Sequence, residues 1–315
     1  MASLSIQAME SYLSHSISSL NRNKLHGLLA EIDFRNYINS LGFHERVSVG
    51  GWIVRNTGAG TFAHDTVVFF PNTIVPDVDY PPTSQLPDPG HGLHTICSTF
   101  HQLGIGSYFC TPVVNIDENP LSIQWHSVQL GLPTQQPYSP FPVDLPDFTP
   151  RSRRYNFLQS NTDVSLIPEN SMPEEFSKEH LRVSFQNRYM AEISDIDGIL
   201  WGEQYTYPIE IKEKTPASDN KIGEYFGLDV GPFVKLAFYA AKRGNLHSIF
   251  IVREINDVES RELVNWLFIT YDQLAQYASW VYRGGGTNML GGQSSVVRIP
   301  KSEFQVLNGD TIKQL

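Results

Sequence analysis

Between residues 194 and 215 the chain reads SDIDGILWGEQYTYPIEIKEKT, and four of its side chains are suited to chemistry: Asp195, Asp197, Glu210 and Lys212. They stand among aliphatic and aromatic residues that predict two β-strands with a turn near Gly202-Glu203. With the turn there, facing residues sum to about 405, which sets Asp195 opposite Glu210 and makes Asp197 a diagonal neighbour on the same face. Period-two alternation puts Glu210 and Lys212 on one side of their strand and Ile209 and Ile211 on the other. Carboxylates gathered on one face repel unless positive charge sits among them, and a hard divalent ion with oxygen ligands removes the conflict. Mg²⁺ is the expected ion, with Mn²⁺ able to substitute. Asp197, Glu210 and the main-chain carbonyl of Ile211 would leave coordination open for a phosphate oxygen and a water. Lys212 would position that water and stabilise charge developing on the phosphoryl group. The chemistry is phosphodiester hydrolysis; the competing reading is a set of salt-bridged residues on a solvated strand.

The flanking pattern supplies the elements that must hold these groups. From Lys24 to Leu41 apolar residues recur at helical spacing, with Gly42 as a stop signal. Residues 44–150 are rich in proline, lack lysine and carry short strand-like runs such as TVVFF, which predicts an irregular, β-leaning insertion. A helix starts at Ser171-Met172-Pro173, with acidic residues in its first turn, and leads into the strand pair. After a polar loop, FVKLAFYAAKRG predicts a short helix, HSIFIVREI a buried strand, and NWLFITYDQLAQYASWV a strand entering another helix. The order α, β, β, α, β, β, α implies a mixed sheet flanked by helices, an α/β (α+β) class. The expected organisation is a helical region over 1–43, an insertion or recognition subdomain over 44–170, and a catalytic core over 171–315.

Over residues 174 to 280, SDIDGI together with PIEIKEK resembles the catalytic signature of the PD-(D/E)xK nuclease superfamily, which includes most type II restriction endonucleases. Ile196 stands where a proline often precedes the first acid, and Asp195 competes with Asp197 for that role; Gly198 after Asp197 favours Asp197. The resemblance implies a restriction-endonuclease-like core in which Asp197 and Glu210 bind Mg²⁺ and Lys212 assists the water. It also implies a further acid from the helix before the first strand, for which Glu31 and Glu179 are the two candidates, Glu31 being slightly preferred. The implied activity is sequence-specific cleavage of double-stranded DNA to 5′-phosphate ends by a homodimer. A structure-specific repair, recombination or defence nuclease, and a non-catalytic nucleic-acid-binding protein on the same fold, are the alternatives.

Composition narrows the partners. Hydrophobic residues at 41% and charged residues at 18% describe a globular chain without an apolar run long enough for a membrane span. The N-terminus lacks the pattern of a secretory signal, and two cysteines form no disulfide framework, so a cytoplasmic location is expected. The net charge of -10 argues against indiscriminate attraction to nucleic acid. Residues 1–150 hold 5 basic and 12 acidic residues, a net of -7, while residues 151–315 hold 18 and 21, a net of -3, so a polyanion would be gripped by the second half. Candidate DNA contacts are Arg151, Arg153 and Arg154 in RSRRY, and Arg283, Asn288, Gln293 and Arg298 in and around the glycine-rich loop. That loop lacks the Gly-Lys-Ser/Thr ending of a P-loop, so no nucleotide cofactor is expected. His91, His94, Cys97 and His101 lie close in sequence, but their spacing matches no standard zinc pairing.

Overall fold

The structure, a computed structural model, describes residues 2–16, 22–48, 50–56, 66–78, 86–134, 136–145, 147–153, 163–242, 244–284 and 293–315. Its helices are α1 (Ile6–Ser16), α2 (Arg22–Ser40), α3 (His91–Gln102), α4 (Met172–Arg188), α5 (Val230–Ala241), α6 (Tyr271–Tyr277) and α7 (Gly309–Gln314). Its strands are β1 (Val47–Ser48), β2 (Gly51–Asn56), β3 (Thr66–Pro71), β4 (Gly106–Val113), β5 (Gln124–Leu130), β6 (Ser139–Pro140), β7 (Thr149–Pro150), β8 (Tyr189–Ile196) and β9 (Gly198–Trp201), followed by β10 (Thr206–Lys214), β11 (Ala217–Asp219), β12 (Gly223–Asp229), β13 (Ile249–Ile255), β14 (Leu263–Thr270), β15 (Ser279–Gly284), β16 (Gln293–Pro300) and β17 (Gln305–Val306). The class is mixed α/β, and no helix among the described residues is long and apolar enough to cross a membrane.

The chain forms two compact units, one of Met1–Leu29 with Val49–Ile196 and the other of Ala30–Ser48 with Asp197–Leu315. The first is built on a seven-stranded sheet in the order β6-β5-β4-β3-β2-β8-β7. Every residue of β3 is buried, as its unbroken apolar run requires, and β3 and β4 run parallel because α3 lies between them in the chain. The proline-rich segment, expected to be irregular and β-leaning, is thus β-rich as expected but forms a regular sheet with a helix. Most of its prolines lie between the strands, while Pro71 ends β3 and Pro112 lies one residue from the end of β4. On α4, Phe176 meets Tyr12 of α1 edge-on at 5.2 Å between ring centres, and the Lys178 carbonyl accepts the indole N–H of Trp52 at 2.9 Å. These contacts place α4 and β8 in the first unit, so the expected boundary at 170/171 falls inside that unit.

The second unit carries a six-stranded sheet, β1-β9-β10-β13-β14-β17, and a four-stranded one, β11-β12-β16-β15. β10 and β13 are parallel, with α5 in the crossover between them. Alternation divides each central strand between two cores. Ile209, Ile211, Ile249, Ile251, Trp266 and Phe268 pack with Phe34 and Ile38 of α2, while Phe250, Val252, Leu267 and Ile269 pack with Leu236 of α5 and the strands β12 and β16. Each such side chain contributes roughly 1.5–3 kcal/mol by leaving water. Glu210 and Lys212 are on the α5 side, opposite Ile209 and Ile211, as the alternation predicts. α2 stops where Gly42 takes φ +81; its N–H donates to Asn39 O at 3.0 Å and the Phe43 N–H to Ile38 O at 3.1 Å.

The strand register needs a correction. Ile209 faces Gly198 and Thr206 faces Trp201, so facing residues sum to 407 and not to 405. The loop is the four residues 202–205, closed by the Gly202 N–H donating to Tyr205 O at 2.9 Å. A slip of two keeps every side chain on its face. A second correction concerns Asp195, which was expected opposite Glu210. The chain leaves one sheet at Ile196 and enters another at Gly198, and Asp195 on β8 faces Trp52 of β2.

Candidate active site

The second unit assembles the site from four elements. β10 presents Glu210 and Lys212, α5 presents Lys235, the residue before β9 is Asp197, and α2 brings Glu31. Glu210 is 1% exposed, and a bare carboxylate at that depth would cost several kcal/mol. Two ammonium groups offset the cost: Lys212 Nζ lies 2.6 Å from Oε1, and Lys235 Nζ is paired with Oε2. The lysines differ in access to solvent, Lys212 being 34% exposed and Lys235 13%.

Asp197, also buried, accepts the Ile211 N–H on Oδ2 at 2.6 Å. Pairing between β9 and β10 ends at Gly198, and beyond that point the carboxylate of Asp197 supplies an acceptor in place of a strand carbonyl. This bond fixes Asp197 against the residue after Glu210. Glu31 and Asp197 offer carboxylate oxygens within 4.8 Å of each other. The position of α2 is set by packing and by charge: Phe34 meets Trp266 at 5.4 Å, the Tyr37 hydroxyl donates to Leu307 O at 2.7 Å, and Asp33 pairs with Arg253 at 2.8 Å. Arg253 also pairs with Glu213 of β10 at 2.7 Å, so one guanidinium ties the helix of Glu31 to the strand of Glu210.

The donor set suits a hard divalent cation. Two oxygens on one Mg²⁺ are at most about 4.2 Å apart, twice the usual Mg–O distance, which is comparable with the 4.8 Å within which oxygens of Glu31 and Asp197 lie.

The other predicted residues are placed as follows. Glu179 lies on α4 in the first unit, where Arg182 forks onto both of its oxygens. Asp195 is exposed on β8 of the first unit. Arg151 donates to Gln186 O, and Arg153 is exposed. Arg298 on β16 pairs with Asp219 at 2.6 Å and lies over the Tyr225 ring at 5.3 Å, partners that hold β11, β12 and β16 together. Arg283 ends in β15 and Gln293 begins β16, while Arg154 and Asn288 lie outside the described residues. His94 on α3 pairs with Asp88 at 3.0 Å, whereas Cys97 is fully buried and its thiol is pushed up to about 12 by that burial. His91, His94, Cys97 and His101 form no ligand cluster among the described residues.

Sequence reasoning missed Lys235. Its signal was faint but present, a lone cation in the apolar run FVKLAFYAA of the helix that must cross over between β10 and β13. Comparison of the chain with protein-family models, with curated proteins and with solved structures gave no match.

Proposed function

We propose that this protein is a Mg²⁺-dependent endonuclease that hydrolyses phosphodiester bonds of double-stranded DNA, working as a homodimeric type II restriction enzyme on a PD-(D/E)xK core. One observation carries the reading: a carboxylate buried to 1% exposure, Glu210, is held between two lysines on the strand whose Ile211 N–H binds Asp197, and Asp197 and Glu31 bring carboxylate oxygens within 4.8 Å of each other. Asp197, Glu31, Glu210 and the Ile211 carbonyl would hold the ion. When bound, Mg²⁺ supplies Lewis-acid polarisation of a phosphoryl oxygen and a more acidic water. Lys212, the more exposed lysine, orients the attacking water and stabilises charge on the phosphoryl oxygens. Lys235, deeper and anchored on α5, holds the Glu210 carboxylate in place while Lys212 turns towards substrate.

The non-catalytic alternative draws on the same ion pairs, since a carboxylate engaged by two lysines also describes a purely structural charge centre. Plasmid and phage DNA incubated with the protein and Mg²⁺ separates the two readings. Discrete fragments from the wild type, and none from Glu210→Ala or Lys212→Ala, are expected. Equal cutting by either variant would remove the site assignment, and binding without cutting by the wild type would favour the non-catalytic protein.

A further inference from the structure

The strand that carries Glu210 and Lys212 carries a third cation on the same face. Two residues beyond Lys212, at a separation of about 6.7 Å along the strand, β10 ends at Lys214. Its cross-strand neighbour is Glu254 of β13, the first carboxylate expected to neutralise it. Glu254 is committed elsewhere: Lys301 Nζ lies 2.5 Å from Oε1, and the Asn265 amide donates to Oε2 at 3.1 Å. Glu210, the next acid on that face, is taken by Lys212 and Lys235. Among the described residues Lys214 makes no ion pair, and Asp229 at the start of α5 acts on it only at longer range. Lys214 is also half-buried, and burial holds its ammonium below the usual lysine pKa, with Asp229 opposing and the charge of Lys212 adding to the effect. A partly desolvated ammonium whose neighbouring acids are all engaged is a poor structural ion pair and a good anion contact.

We propose that Lys214 binds a backbone phosphate of duplex DNA next to the one hydrolysed. This rests on the nuclease reading above. The side-by-side lysines match the run of phosphates along one strand: Lys212 serves the reacting group and Lys214 its neighbour. A contact of this kind adds affinity without sequence preference and raises the salt dependence of binding.

The test is binding of a labelled pool of duplex DNA fragments, with Ca²⁺ replacing Mg²⁺, across a range of salt concentrations, beside a cleavage assay in Mg²⁺. Wild type, Lys214→Gln and Lys214→Arg are compared, with thermal unfolding as the check on folding. Lys214→Gln is expected to weaken binding about tenfold for all fragments and to lower the slope of log affinity against log salt by about 0.9. Lys214→Arg is expected to keep the wild-type slope, and all three proteins are expected to cut when DNA is saturating. An unchanged slope for Lys214→Gln in a protein that still cuts would overturn the phosphate assignment and leave the nuclease reading standing. A wild type that neither binds nor cuts duplex DNA would overturn both.

Discussion

Both units bury a titratable side chain, and they treat it in opposite ways. In the first, His180 is enclosed by neutral partners. The Trp125 indole N–H donates to Nδ1 at 2.8 Å, Nε2 donates to Pro120 O at 3.0 Å, and the rings of Tyr12 and Phe176 flank it at 5.1 and 5.6 Å. Every hydrogen-bonding atom of the imidazole is used and the tautomer is determined, so the ring is a strut in the core. In the second, Glu210 is enclosed by two flexible cations, one of which reaches solvent. Only another cation could replace either ammonium without leaving the carboxylate uncompensated. Burial alone does not distinguish architecture from chemistry; the partners of His180 leave it no exchangeable contact, whereas Glu210 has a partner that reaches solvent.

The largest effect that would break this contrast is expected at Glu210. Glu210→Gln should lower cleavage by roughly a thousandfold. It should also destabilise the fold by less than the ~3–5 kcal/mol of a fully buried pair, because Lys212 is 34% exposed and solvent shares the cost. In the first unit Glu175 and Lys178 form a buried pair at 3.6 Å on α4, and Glu175→Gln there is expected to cost stability with cleavage unchanged. Denaturant melts and cleavage rates measured on both variants check the pair of outcomes.

Next in size is the pH response of the first unit. Burial lowers the His180 pKa from 6.5 to about 4, with the Pro120 hydrogen bond opposing. Between those values the unfolded chain binds a proton that the folded one refuses, so stability rises with pH through this window. The contribution is complete above about pH 6.5 and is lost progressively down to about pH 4, on the order of 3 kcal/mol in all. Denaturant titrations at pH 4.5 and pH 7, repeated with His180→Gln, should show that dependence shrink by about 2.5 kcal/mol in the variant.

Smaller again, Trp125→Phe leaves His180 Nδ1 without its donor and is expected to cost about 1–3 kcal/mol at pH 7, read from the urea midpoint. Smallest is Gly42→Ala, where φ +81 suits glycine and an alanine would cost roughly 1 kcal/mol by fraying the end of α2. A slight loss of cleavage should accompany it, because α2 carries Glu31.

What could be read from the residues follows the range of the interactions. α2 was legible because its apolar spacing and Gly42 are local, and the faces of β10 because alternation is local. The aliphatic run of β13 likewise marked a buried strand. Three things depended on distant parts of the chain. Lys235 joins Glu210 only through the β10–α5–β13 crossover, which spacing cannot measure. The sheet that pairs β12 with β16 joins Gly223–Asp229 to Gln293–Pro300 across some seventy positions, so one strand fell in the polar loop and the other in and just after the glycine-rich loop. The break at Asp197 is marked in sequence by nothing but Gly198, and the hairpin was therefore extended back to Asp195.

The central claim is that Glu210 trades lysine contact for a shared cation. An anomalous difference map from crystals grown with Mn²⁺ tests it most directly. The account predicts one ion bound by oxygens of Asp197, Glu31 and Glu210, with Lys235 still against Glu210 and Lys212 released towards solvent. A map without an ion there, with both lysines still closed on Glu210 at saturating Mn²⁺, would contradict it.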